Sequence, residues 1–184
     1  RLKTTLAGLY MKQYLLHEIY DTLVMPVLKS IGDMWANNDI SIAEEHVATN
    51  TIRNAVYALG ETLHRKNYKD HSYTLSLALS GDEHDLPLIM TKQILEINGI
   101  PVINCGGNTP AKSIKRLLNK FQPDKIIVSL TYCEDKNLAN QQLDDLVKIT
   151  SKNHAKIYMG GAGIDYIIGQ HLKNVQLLHS MSDV

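Results

Sequence analysis

From residue 1 to about residue 66, apolar positions recur at spacings of one, three and four, the period of a helix with one buried face. Leu6, Leu9 and Tyr10 predict a short first helix. A longer helix is expected over Gln13–Asn37, with Leu15, Leu16, Ile19, Leu23, Val27, Ile31 and Met34 turned inward. Pro26 falls inside it and should bend it or remove a hydrogen bond. Asn37-Asn38-Asp39 ends it, Asn38 being suited to the left-handed position after a helix. Ser41-Ile42-Ala43-Glu44 then reads as a capping box, with Ser41 as N-cap and Glu44 three residues on. The helix it opens runs to about Lys66 and carries Val47, Ile52, Val56 and Leu59 inward. Short loops make these helices antiparallel neighbours.

From Tyr73 the pattern alternates. Strand-like runs occupy Tyr73–Ser80, Pro101–Asn104, Lys125–Thr131, Lys156–Met159 and Val175–Leu178. Helix-like runs fill the gaps at Leu88–Asn98, Pro110–Phe121, Asn137–Asn153 and Ile164–Gln170. Strands joined by helical crossovers imply a parallel sheet covered on both faces. The fold class expected is α/β: an N-terminal helical bundle followed by a five-stranded, doubly wound, flavodoxin-like parallel sheet. The polar stretch Lys66–His71 marks the boundary, giving a bundle over residues 1–68 and a Rossmann-like domain over 69–184. No internal repeat or low-complexity segment interrupts either part.

The 184 residues leave ample core for this architecture. Nineteen basic residues balance nineteen acidic ones, and no half carries a basic stripe, which argues against nucleic-acid binding by this segment itself. There is no run of about 18 apolar residues to cross a membrane, and no signal peptide. Cys105 and Cys133 form no CxxC pair and read as two thiols of a reducing cytoplasm. The chain opens on Arg1 rather than Met, so a longer protein with an upstream domain is expected.

The chemistry concentrates at Ser80-Gly81-Asp82-Glu83-His84-Asp85-Leu86, between the first strand and the helix after it. Ligands of doubly wound sheets bind at such loops. A histidine there can ligate a metal, and an aspartate two residues earlier can accept its other ring N–H, fixing the tautomer. A lone loop histidine also serves simply as a solvated or capping residue. Ser129 ends the third strand, beside the end of the first, so Asp82, His84 and Ser129 can converge. Gly160-Gly161-Ala162-Gly163 ends the fourth strand and either leaves room for a large ligand or makes a glycine turn. Gly106-Gly107-Asn108-Thr109-Pro110 offers backbone N–H groups at a helix start, or is an ordinary strand-to-helix turn. No GxGxxG or Walker A pattern follows any strand, which weighs against a nucleotide.

Taken together, Gly81-Asp82-Glu83-His84-Asp85-Leu86, Ser129-Leu130-Thr131 and Gly160-Gly161 resemble the three signatures of cobalamin-binding domains such as that of methionine synthase. The resemblance covers residues 73–184. It implies that His84 replaces the cofactor's benzimidazole as lower cobalt ligand, with Asp82 and Ser129 as a hydrogen-bonded relay behind it. It further implies that Thr131, Gly160 and Gly161 lie near the displaced nucleotide tail. Pro87 stands where that family has glycine.

Trp35, Glu45 and His46 resemble the W-x9-EH pattern of cobalamin-dependent, light-sensing MerR-type regulators of the CarH and LitR kind. Trp35 lies in the last turn of one predicted helix, and Glu45 and His46 in the first turn of the next, at one end of the hairpin. In that family these residues cap the upper face of adenosylcobalamin, and light disassembles a tetramer and releases DNA. Ala36 stands where light-sensing members carry a cobalt-capturing histidine, and Ala36 cannot ligate. The resemblance implies a cytoplasmic, non-enzymatic sensor that binds cobalamin, forms a dimer or tetramer, and reaches DNA only through an upstream domain. The alternative is a corrinoid carrier of a methyltransferase system; a third reading is a domain of this shape that binds something else.

Overall fold

The computed structural model describes residues 1–68 and 72–184. The chain divides into a helical unit, Arg1–His64, and an α/β unit, Arg65–Val184. The boundary expected from sequence, between 68 and 69, abuts residues 69–71, which lie outside the described residues.

In the helical unit, α1 spans Leu2–Met11 and is followed by Gln13 in the left-handed conformation (φ 70°). The long second helix therefore starts later than its apolar spacing predicts. Its first piece, α2, is Leu16–Ile19, and the Glu18 carboxylate accepts the Leu15 N–H at 3.0 Å. A π-helical turn, Tyr20–Val24, leads into α3, Met25–Ala36. The wide turn falls just ahead of Pro26. Proline has no N–H for the carbonyl four residues back, and its ring crowds that carbonyl, so a looser turn relieves both problems. Helix α3 ends in a Schellman motif: Asn38 has φ 62°, its N–H donates to the Trp35 carbonyl, and the Asp39 N–H donates to the Met34 carbonyl at 2.9 Å. Helix α4, Ile42–Thr62, opens on the expected capping box, with Ser41 N–H donating to Glu44 at 2.8 Å and Glu44 N–H to Ser41 Oγ at 3.3 Å.

The core of this unit is Leu6, Leu16, Ile19, Tyr20, Val24, Ile52, Ala55, Val56 and Leu59. Burial pushes the Tyr20 phenol far up. Four positions expected inside are outside: Leu15, Val27, Met34 and Val47 are exposed. No residue of α3 is buried, and of the inward stripe predicted along the second helix only Leu16 and Ile19 are buried.

The α/β unit holds β1 (Thr74–Ala78), β2 (Val102–Asn104), β3 (Lys125–Ser129), β4 (Lys156–Gly160) and β5 (Val175–Leu178). All pairs are parallel and the spatial order is β2-β1-β3-β4-β5. This is the flavodoxin-like doubly wound sheet expected. The chain reverses direction across the sheet between β1 and β3, the switch point where such folds bind ligands. Three α-helices cover the sheet: α5 (Leu86–Ile97), α6 (Lys115–Phe121, preceded by a 3-10 turn at Ala111–Ile114) and α7 (Lys136–Thr150). Leu75, Leu77, Ile126 and Val128 pack with Ile114, Leu118, Leu143 and Leu146 in the main core, while Ile127 and Val102 join Leu95 of α5 in another.

The last crossover departs from expectation. The run Ile164–Gln170 is not a helix but two 3-10 turns, Ile164–Tyr166 and Gly169–Leu172. Asn140 of α7 holds the break, donating to the Tyr166 carbonyl at 3.1 Å and accepting the Ile168 N–H at 2.8 Å. A side chain that takes these backbone groups competes directly with a helical ladder.

At the start of the α/β unit, Arg65 Nε lies 3.3 Å from Glu96 of α5, a carboxylate 3% exposed that is also paired with Lys92. Seven residues on, the Ser72 hydroxyl donates to Asp124, next to β3.

Candidate functional site

The register Ala78↔Ser129 and Ser129↔Gly160 aligns the ends of β1, β3 and β4. The loops leaving these ends carry the residues singled out from sequence. After β1 the chain turns through Gly81 (φ 92°), and the Asp82 N–H donates to the Leu79 carbonyl at 3.0 Å. The Asp82 side chain is fully buried. Its Oδ1 accepts the His84 backbone N–H at 3.0 Å and stands 2.7 Å from His84 Nδ1. Its Oδ2 accepts the Thr131 N–H at 2.6 Å. A carboxylate only accepts, so Nδ1 carries a proton toward Asp82, and in the neutral ring the lone pair falls on Nε2. The His84 side chain is 54% exposed, so the imidazole stands at the surface on a buried, oriented base.

The structure brings Asp82 and His84 together and adds the Thr131 backbone, which the sequence did not reveal. Ser129 does not join this pair by a hydrogen bond. Its Oγ and the Oγ1 of Thr131 are buried and have no hydrogen-bond partner among the described residues. Buried hydroxyls are normally satisfied, so two together at one strand end call for an explanation.

The glycine run after β4 has a reason within the chain. A Cβ on Gly161 (φ 118°) would lie 2.2 Å from the Leu130 carbonyl oxygen, and one on Gly163 would meet the same oxygen at 3.0 Å. The Gly163 N–H donates to that carbonyl at 2.8 Å, and the Leu130 N–H donates to Gly160 at 2.8 Å. Gly161 and Gly163 thus let the β4 loop close over the end of β3, beside the unpartnered hydroxyls, while a Cβ on Gly160 would lie 3.2 Å from the Leu178 carbonyl oxygen of β5.

In the helical unit, Trp35 lies one residue before the end of α3 and is 46% exposed. Glu45 and His46 sit in the first turn and a half of α4, and their side chains meet at 3.6 Å. Glu45 also accepts from Thr49 Oγ1 at 2.6 Å. No hydrogen bond or ion pair among the described residues joins Trp35 to either. Val27, Met34, Ile42 and Val47 are exposed on the same two helices, so this hairpin presents an apolar surface to solvent.

No group of three or more His, Cys, Asp or Glu side chains among the described residues could hold a bare metal ion. One oriented imidazole suits a metal whose other ligands come with it, as in a corrinoid, whose ring supplies four nitrogens. The donor set fits that cofactor. No described helix is long and apolar enough to cross a membrane.

Comparison with known proteins points the same way. Residues 3–59 match the family model of the B12 binding domain. The chain is 24% identical over 110 residues to the HTH-type transcriptional repressor CarH of Myxococcus xanthus, a match covering 60% of this chain and 36% of that protein. It thus spans about a third of that relative's length. Among solved structures it resembles the monomethylamine corrinoid protein of Methanosarcina barkeri, with a TM-score of 0.76 at 14% identity, covering 99% of this chain and 92% of that one. It also resembles a cobalamin-binding protein of Desulfitobacterium hafniense (TM-score 0.51, 19% identity, 85% and 73% covered). A third likeness is to the methanol:cobalamin methyltransferase complex of Methanosarcina barkeri (0.53, 14%, 91% and 64%). At these identities the structures speak to the fold alone.

Proposed function

We propose that the chain binds cobalamin, with His84 as lower axial ligand of cobalt, and serves as the sensory part of a transcriptional regulator. The observation that carries this reading is the His84 imidazole held on buried Asp82 at the switch point of the sheet. Nε2, the ring nitrogen that does not donate to Asp82, is the one to offer the metal. Ser129 and Thr131 supply hydroxyls for the nucleotide tail, running beside Gly160 and Gly161; their lack of partners supports this assignment. The match of residues 3–59 to the B12 binding domain supports the cofactor from the other end of the chain.

Trp35, Glu45 and His46 are assigned to the upper ligand, adenosylcobalamin in this reading. An exposed indole, on a helix pair that also exposes Val27, Met34, Ile42 and Val47, offers apolar contact to such a group. The likeness to an HTH-type transcriptional repressor supports a regulator that meets DNA through a further domain; a change of oligomeric state, dimer or tetramer, belongs to the same reading. Ala36 places no second histidine beside Trp35, so a light response would proceed without cobalt capture there.

The second reading is a corrinoid carrier that presents a methyl group to a methyltransferase. Its support is the fold likeness to the monomethylamine corrinoid protein over 92% of that chain. A carrier leaves the upper face open to its partner, whereas a sensor needs the indole over it.

The deciding experiment is gel filtration with adenosylcobalamin in the dark and after illumination, following cofactor absorbance across the peak. Colour co-eluting with a large species that shrinks in light supports the sensor. Colour that co-elutes unchanged by light, with methyl transfer from a donor protein, supports the carrier. Colour that never travels with the protein removes both. In the His84→Ala variant the absorbance should change to that of a corrinoid lacking the histidine ligand; an unchanged spectrum counts against His84. Trp35→Ala should reduce the preference for adenosyl over methyl forms, read as the ratio of the two Kd values.

A further inference from the structure

The turn after β2 grips the histidine loop along its length. The Thr109 N–H donates to the Ala78 carbonyl at 2.8 Å, and Thr109 bridges Leu79 in parallel. Asn108 then takes hold of two successive residues. Its Oδ1 accepts the Gly81 N–H at 3.0 Å, and its own N–H donates to the Asp82 carbonyl at 2.7 Å. Gly107 comes so near that a Cβ would lie 2.8 Å from the Glu83 carbonyl oxygen. Asn104 braces the turn from behind, accepting the Gly106 N–H at 3.0 Å. Every residue from Gly81 to Glu83 is thus met by the β2 turn, and His84 follows immediately.

We infer that Asn108 is a positioning residue for the His84–Asp82 pair. Its side chain fixes the Ser80–Gly81 peptide and its backbone fixes the Asp82–Glu83 peptide, so the stretch that carries Asp82 is held on both sides. That orients the Asp82 carboxylate toward His84 on one side and Thr131 on the other. The left-handed backbone at Asn108 (φ 49°) explains the residue type, because asparagine tolerates that conformation and carries an acceptor of the right reach. The claim that this serves cobalt ligation rests on the cobalamin reading; the claim that Asn108 orients the imidazole does not.

Two variants separate the side chain from the backbone. Asn108→Gly keeps a left-handed turn open and removes only the acceptor; Asn108→Asp restores an acceptor. In the cofactor-free protein, 15N spectroscopy of His84 reports which ring nitrogen carries the proton. A single ordinary hydrogen bond biases a conformer population by about five-fold. Asn108→Gly should lower the Nδ1-protonated share of the neutral ring by about that factor relative to its alternative and speed Gly81 amide exchange similarly, while Asn108→Asp keeps both near wild type. An unchanged His84 signature in Asn108→Gly overturns the inference, even if Gly81 exchange rises. With cob(II)alamin bound, EPR nitrogen splitting from the axial imidazole should weaken in Asn108→Gly and persist in Asn108→Asp; equal splitting in both overturns its extension to the metal. If wild type binds no cobalamin, the proposed function fails, and the cofactor-free spectra still decide the role of Asn108.

Discussion

Ser129 carries a hydroxyl that is buried with nothing to bond among the described residues. An unsatisfied buried hydroxyl costs about 1–3 kcal/mol. Ser129→Ala should therefore leave the cofactor-free protein at least as stable in urea, while lowering cobalamin affinity if the hydroxyl meets the tail. A loss of stability with affinity intact would refute that division. Gly161 makes the opposite case: a Cβ 2.2 Å from the Leu130 oxygen, at φ 118°, has nowhere to go. Gly161→Ala should destabilise the α/β unit by about 2–4 kcal/mol, the range of steric and backbone strain combined, read as a fall in the urea midpoint. Asp82 and His84 were legible in the sequence because their partnership is local, two residues apart, and Ser129 was placed correctly by strand register. Thr131 was named only through the family resemblance, and neither its backbone bond to Asp82 nor the part of Asn108 was legible, because each contributes through a backbone or a loop brought near only when the strands pair. Gly160 and Gly161 were singled out from sequence as room for a ligand or as a glycine turn; within the chain, Gly161 faces the Leu130 carbonyl and Gly160 that of Leu178.

Helix ends were easier to read than helix interiors. Asn38 and the Ser41–Glu44 box are side-chain solutions to unpaired backbone groups, and local solutions appear in local sequence. The hydrogen bonds from Ser41 hold the Glu44 carboxyl below its ordinary range. A folded-state value below the unfolded one means the cap contributes fully above the ordinary glutamate range and is lost as pH falls through the folded value. The helical unit should therefore lose helicity, followed by circular dichroism, on acidification below that range, and less steeply in Glu44→Gln. Parallel acid profiles would show the cap to be without effect on folding. Ser41→Ala should cost about 1 kcal/mol at neutral pH. What the spacing of apolar residues could not reveal is which of them find a partner. Val27, Met34 and Val47 keep the helical period yet lie outside the core, since periodicity states a preference and only packing fulfils it. The last crossover misled for another reason: its helical composition loses to Asn140, a competitor in a different element.

The order of strands followed from alternation alone. Five short runs with helical spacers leave few arrangements once crossovers are right-handed and both faces must be covered. The parallel sheet, its flavodoxin-like order and the switch point between β1 and β3 were all within reach of the sequence. Lys66–His71 has the polarity of a tether, yet the residues flanking it, Arg65 and Ser72, are both fastened to the α/β unit, by Glu96 and Asp124. Between the end of α4 at Thr62 and the Arg65–Glu96 pair, only Leu63 and His64 are left to join the units. The two flanks are sewn down like the edges of a hem, Arg65 to Glu96 and Ser72 to Asp124. Extra chain placed after Tyr68 would enlarge the hem, at a cost that grows only as the logarithm of its length, and would leave the seam at Leu63–His64 as it was. A peptide tag inserted there should be carried with little loss of stability, whereas the same tag after His64 would alter the connection itself.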